Sequence, residues 1–174
     1  MEDRTLVNRV ASSGLITINL EDFFPKEPLL VFDLKDYLFR ALILREKDFR
    51  EAMRAHDWVQ YEGKNLAVSC SADAIIPIWA YMLVASYAAP HAKRIVFGDA
   101  DEFYRSAYTT ALAGIDASAY EGQRVVIKGC SDYPVPASAY LDITRLLQPH
   151  AQTIMYGEPC STVPIFKRPK MVVA

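Results

Sequence analysis

Hydrophobic and polar residues alternate along Leu15-Ile16-Thr17-Ile18-Asn19-Leu20 with the period of a half-buried strand. A second apolar run, Leu29 to Phe32, lies between Pro28 and Asp33. Leu34 to Leu44 is apolar and reads as a largely buried helix, which Arg45 to Ala55 continues or restarts. In that second stretch Phe49, Ala52 and Met53 fall on one face, and Glu46/Arg50 and Lys47/Glu51 are spaced to pair on the other. The pattern then changes to strand–helix–strand. Leu66 to Ser69 is a strand ending at Cys70. Ile76 to Ala89 is a helix with Pro77 in its first turn and Pro90 as its stop, and Arg94 to Phe97 is the next strand, closed by Gly98-Asp99. A helix capped by Asp101 follows, to about Ala113, burying Phe103, Ala107 and Ala111. Strand Arg124 to Lys128, helix Pro136 to Gln148, stop Pro149 and strand Thr153 to Tyr156 complete the series.

The strand–helix–strand pattern occurs twice because the sequence does. Residues 61–99 and 120–158 align without a gap at an offset of 59, and 12 of the 39 pairs are identical, among them Tyr61/Tyr120, Glu62/Glu121, Gly63/Gly122, Ala80/Ala139, Tyr81/Tyr140 and His91/His150. Each copy is a βαβ unit, in which two parallel strands are joined by a crossover helix. The simplest assembly is a single α/β domain over residues 1–174: a mainly parallel sheet carrying four strands from the two units, helices packed on it and the N-terminal strands at an edge.

Composition narrows the setting. The chain has 174 residues and is 52% hydrophobic, with 19 basic and 21 acidic groups, a net charge of −2. A chain of this length can bury about two-thirds of its unfolded surface without a disulfide or metal to hold it. No basic excess points to nucleic acid; Lys167-Arg168-Pro169-Lys170 is a short solvated cluster. Ala74 to Ala92 carries no formal charge over 19 residues, borderline for a membrane span, but its prolines, His91 and two tyrosines favour a buried helix. The N-terminus has neither a basic n-region nor an apolar h-region, so a cytoplasmic, reducing compartment is expected.

Three cysteines in such a compartment are not a disulfide framework. Each is followed by serine: Cys70-Ser71, Cys130-Ser131 and Cys160-Ser161. Cys70 and Cys130 leave the first strands of the two copies, and Cys160 lies just past the second strand of copy two. On one parallel sheet all three share the carboxyl-end rim, where ligands bind. At the same offset Cys160 corresponds to Asp101, whereas Cys70 and Cys130 correspond with a one-residue slip. Cys70, Cys130, Cys160 and Asp101 are therefore the candidate metal ligands. Ser71, Asp73, Ser131, Asp132, Asp99 and Glu158 are candidates to line the same site. Three thiolates with a carboxylate or an open corner suit zinc or an iron–sulfur cluster. His91 and His150 fall on the opposite rim, which argues against a Cys/His zinc finger. Each cysteine also has a plain reading as a small buried hydrophobe, and Asp101 as a helix cap.

Other chemistries lack their motifs. The seven glycines form no G-x-G-x-x-G and no G-x-x-x-x-G-K-[ST], and no G-x-S-x-G elbow occurs. Three functions stay open: a metal- or iron–sulfur-binding accessory protein, a cysteine-based sulfur-transfer or thiol-redox enzyme, and a non-enzymatic, oligomeric interaction module with core cysteines.

Five strings carry a resemblance over nearly the whole chain: Val7-Asn8-Arg9-Val10-Ala11, Leu44 to Arg50, Cys70-Ser71-Ala72-Asp73-Ala74-Ile75, Lys128-Gly129-Cys130-Ser131-Asp132 and Tyr156 to Pro164. With them the chain resembles an uncharacterised bacterial family of proteins with a domain of unknown function, family number 2480. The resemblance implies an association with iron–sulfur assembly proteins and no defined mechanism.

Overall fold

The computed structural model describes residues 14–129 and 132–169. In chain order it forms β1 (Leu15–Asn19), β2 (Leu29–Asp33), α1 (Glu46–Ala55), β3 (Asn65–Ser69), α2 (Ile78–Ala88), β4 (Arg94–Phe97), α3 (Ala100–Ala113), β5 (Arg124–Lys128), α4 (Ala137–Leu147), β6 (Thr153–Glu158) and β7 (Ser161–Lys167). The fold is α/β and mostly parallel, built on the two duplicated units as their periodicity predicts.

The single sheet expected from that periodicity is corrected. The strands divide into a three-stranded sheet, β2-β3-β4, and a four-stranded sheet, β1-β5-β6-β7. The chain accordingly splits into two compact units: Pro25–Ser106, and Met1–Phe24 together with Ala107–Ala174. Each unit takes one N-terminal strand. β2 pairs in parallel with β3, Leu29 opposite Asn65, and β1 pairs in parallel with β5, Leu15 opposite Arg124. Asn65 and Arg124 are counterparts at the 59-residue offset, so both N-terminal strands dock in the same register.

The two N-terminal segments are themselves alike. Each strand runs into a single 3-10 turn, Leu20–Phe23 or Leu34–Tyr37, and the residue before it caps the turn. Asn19 accepts from the Glu21 N–H at 3.3 Å, and Asp33 from the Lys35 N–H at 3.0 Å. The repeated unit is therefore a strand and turn followed later by βαβ.

This corrects the helix expected over Leu34 to Leu44. After the 3-10 turn the chain closes a tight loop, with Phe39 bridged to Ile43 and Arg40 and Ala41 at φ 52° and 58°. The Arg45 guanidinium lies 3.3 Å from the centre of the Phe39 ring. Apolar spacing mimicked a helix here, but Leu42 and Ile43 point outward. Helix α1 starts afresh at Glu46, burying Phe49 and Met53 and pairing Glu46 with Arg50 at 2.8 Å.

The crossover helices explain several identities between the copies. Ala80 and Ala139 are fully buried, each followed at helical spacing by Val84 and Ala88 or by Ile143 and Leu147. A methyl group at that position lets the helix sit close on its sheet. α2 fully buries only this face, with Ile78 72% and Met82 67% exposed, so the helix expected to be buried is covered on one side only. Among the described residues no helix is long and apolar enough to cross a membrane.

At the amino end of each βαβ unit the copies share a clasp. The Gly63 N–H donates to the His91 carbonyl, and the Gly122 N–H to that of His150, both at 3.0 Å. Nδ1 of His91 meets Oε2 of Glu62 at 3.1 Å, and Nδ1 of His150 meets Oε2 of Glu121 at 2.9 Å. Both glycines are left-handed, at φ 66° and 67°. The repeated Tyr-Glu-Gly and Pro-His-Ala strings thus tie a turn to the end of a helix.

At the carboxyl end the copies part at another glycine pair. Gly98 (φ 121°) leads into α3, whereas Gly157 (φ 116°) leads through the Pro159-Cys160 turn into β7, which pairs antiparallel with β6. A Cβ on Gly157 would stand 2.7 Å from the Ser161 carbonyl oxygen, whereas one on Gly63 would meet nothing within 4 Å. Gly157→Ala is therefore expected to cost about 2–3 kcal/mol and Gly63→Ala about 1 kcal/mol, measured by urea unfolding; equal costs would contradict this difference.

Candidate functional site

The candidate site is built at the carboxyl ends of the strands. In the Pro25–Ser106 unit, β2 ends at Asp33 and β3 at Ser69, in register. The next residues, Cys70 and Ser71, therefore emerge beside Asp33. Asp33 Oδ1 accepts from the Ser71 N–H at 3.0 Å, and Oδ2 accepts from the Ser71 hydroxyl at 2.6 Å and faces the Lys35 ammonium at 3.2 Å. Partial burial pushes the Asp33 carboxyl up, but the Ser71 and Lys35 hydrogen bonds outweigh it and bring it down to about 2. Asp33 is thus a fixed anion that holds the Cys-Ser turn.

Cys70 is half-buried and free, its Sγ 3.7 Å from the Ala72 carbonyl. Tyr81, on the first turns of α2, packs edge-on against Phe97 with ring centres 5.1 Å apart. Burial, then the neighbouring Cys70 and Asp33, raise its pKa, so it stays a hydroxyl donor beside the thiol. Asp73 is exposed. Asp99 caps α3 by accepting from the Glu102 N–H at 3.0 Å; Asp101 is an exposed residue of the first turn. The capping role expected for Asp101 is therefore corrected to Asp99.

In the other unit the same positions carry different groups. Gly129 stands where Cys70 does, and a Cβ there would come within 2.8 Å of the Tyr140 hydroxyl oxygen. Asn19 replaces Asp33, and the carboxyl group here is that of Glu21, whose Oε1 accepts from the Asp132 N–H at 3.0 Å. Cys130 and Ser131 lie outside the described residues. Cys160 is exposed in the turn between β6 and β7, a short step beyond Glu158, which pairs with Lys128 at 3.4 Å. The 59-residue offset still matches Cys160 with Asp101 in sequence, but the chain there is a hairpin in one copy and a helix in the other.

The two described thiols thus follow strand ends of different sheets. Among the described residues, no group of three or more His, Cys, Asp or Glu side chains is placed to hold a metal. His91 and His150 precede β4 and β6, at the opposite strand ends, as their spacing predicts.

A polar network escaped the sequence. His56 lies between two tyrosines, Nδ1 3.2 Å from the Tyr37 hydroxyl and Nε2 3.0 Å from that of Tyr61. Burial lowers the His56 pKa and is the chief cause of the rise at Tyr61 to about 12. A neutral imidazole, donor at one nitrogen and acceptor at the other, suits both hydroxyls. Stacked Phe32, Tyr37 and Trp58 seal this cluster. Tyr37 is 19 residues from His56, and only the five-residue His56–Tyr61 spacing hinted at the pairing.

A family model described as protein of unknown function (DUF2480) matches residues 4–168, and the chain belongs to that family. No curated protein and no solved structure matches it.

The Asp33 geometry gives a pH-dependent expectation. A carboxyl depressed from 3.8 to about 2 contributes stability fully present above pH 3.8 and lost as pH falls through about 2. Asp33→Asn, which copies Asn19, is expected to cost about 1 kcal/mol at neutral pH. The gap between variant and parent should close toward pH 2. Urea midpoints measured across that range check it; a constant gap would contradict the assignment.

Proposed function

We propose that this member of the family is an accessory protein that binds zinc or an iron–sulfur cluster through cysteine thiolates, in support of iron–sulfur cluster assembly. The observation that supports this reading is the placement of Cys70 and Cys160 in turns after strand ends, Cys70 half-buried at the margin of one core and Cys160 exposed. A cysteine kept for packing is usually enclosed. Thiolates are the ligands that zinc and iron–sulfur clusters take. Cys130 is the third candidate thiol on sequence grounds, and Asp101 the acidic one. Tyr81, held protonated beside Cys70, is suited to donate a hydrogen bond to a ligating sulfur and so tune it. Asp33 holds the turn that carries Cys70 but places an anion nearby, so a bound cation would gain from both.

Elemental analysis of anaerobically purified protein tests this. Zinc or iron should co-purify and fall in the Cys70→Ala, Cys130→Ala and Cys160→Ala variants. Metal content in the triple variant equal to that of the parent would overturn the reading.

A second reading rests on a different observation. Ile78 and Met82 expose an apolar edge on the first turns of α2, 72% and 67% exposed, and Ile75, 95% exposed, lies in the segment leading into it. Single exposed apolar residues are ordinary, but an apolar edge favours an interaction module covered by a second copy of the chain. Sedimentation velocity of the parent should then show a dimer that Met82→Glu converts to monomer; a monomer at all concentrations removes this reading.

A further inference from the structure

The duplicated copies differ most in polar chemistry at a groove between α4 and the strands β6 and β7. The groove has a volume of about 530 Å³, and its lining includes Tyr140, Leu141, Arg145, Gln148, Met155, Tyr156 and Ile165. This is the size range of small-molecule sites. All of these residues belong to one compact unit.

Its walls are apolar and aromatic. Tyr140 packs edge-on against Tyr156, ring centres 5.7 Å apart, and β7 adds Ile165 as a wall. Leu141 and Ile165 are 73% and 54% exposed, open to a ligand. The one charged lining residue is Arg145, which has no ion-pair or hydrogen-bond partner among the described residues. Gln148 is three residues further along, on the same helical face. The carbonyls at this end of α4 would ordinarily repel an anion. Just past this end the Arg168 guanidinium brings in a second cation, donating to the Gln148 carbonyl at 3.0 Å and from Nε to the Ala151 carbonyl at 3.3 Å. The Arg168 cation offsets the negative helix end, and the Arg145 guanidinium keeps no direct partner among the described residues.

Copy one supplies an internal comparison. The counterparts of Thr144, Arg145, Gln148 and Tyr156 are Ala85, Ser86, Ala89 and Phe97, and among the described residues no strand pairs with the outer edge of β4 as β7 does with β6. The apolar positions persist, as Met82 for Leu141 and Val96 for Met155. At these positions one copy has thus acquired an arginine, an amide and a phenol, and it carries the added strand β7.

We propose that this groove binds a free organic carboxylate with an apolar or aromatic body. The carboxylate meets the Arg145 guanidinium and the Gln148 amide, and the body lies against Leu141, Met155, Ile165 and the two tyrosine rings. The site is independent of the cysteines.

The test uses 4-phenylbutyrate and its alcohol, 4-phenylbutanol, with the full chain, followed by methyl and aromatic NMR shifts. Saturable shifts at Leu141, Met155, Tyr156 and Ile165 are expected, with the acid binding at least about tenfold tighter than the alcohol. Arg145→Ala should abolish that preference while keeping the parent's thermal midpoint, and Arg145→Lys should restore part of it. The proposal is overturned by equal binding of acid and alcohol, by no saturable binding, or by shifts at Ile78 and Met82 instead. Ligand-free shifts at the groove that grow with protein concentration would show a second copy there and overturn it too.

Discussion

Leu29 stands opposite Asn65 and Leu15 opposite Arg124, and the rest of each unit depends on these two parallel docking registers. A parallel pair has its carboxyl ends on one side, so the turn leaving the N-terminal strand must lie beside the turn leaving the first strand of the repeat. That geometry sets Asp33 against Ser71 and Glu21 against Asp132. A slip of one residue would turn the buried Ile18 and Phe32 outward and part these contacts. Each sheet face is then closed by a crossover helix held close by a buried alanine, and the opposite strand ends are tied by the Glu–His and Gly–His clasp.

On that common frame the copies diverged at places that do not carry the core. The glycine ending the last parallel strand of each copy has nearly the same φ, yet it opens a helix in one and a hairpin in the other. The carboxyl group beside the first strand's exit belongs to Asp33 in one copy and to Glu21 in the other. Cys70 occupies a position that the other copy leaves to glycine under a tyrosine hydroxyl. Such changes alter what the strand ends present to solvent at little cost to packing, which is how one scaffold comes to hold different chemistry in its halves.

The repeat made much of this legible from residues alone. Gap-free identity at one offset located both βαβ units, and the glycines, prolines and histidines at its ends proved to be the clasp and the helix boundaries. The similarity of the two N-terminal strands was not seen, because segments of about ten residues share few identities and sit only 14 positions apart. The apolar spacing of Leu34 to Leu44 fits a helix, while the left-handed Arg40 and Ala41 that close a loop there give no signal of their own. The division into two sheets depends on which partner each N-terminal strand chooses, a long-range choice that periodicity does not encode. The role of Asp33 comes from Ser71, 38 positions away, a pairing that no local pattern encodes.

The central functional claim is that cysteine thiolates are metal ligands. X-ray absorption at the zinc or iron edge of anaerobically purified protein tests it most directly. The account predicts a first shell containing sulfur, at about 2.3 Å if the metal is zinc. A shell of oxygen and nitrogen alone would contradict it.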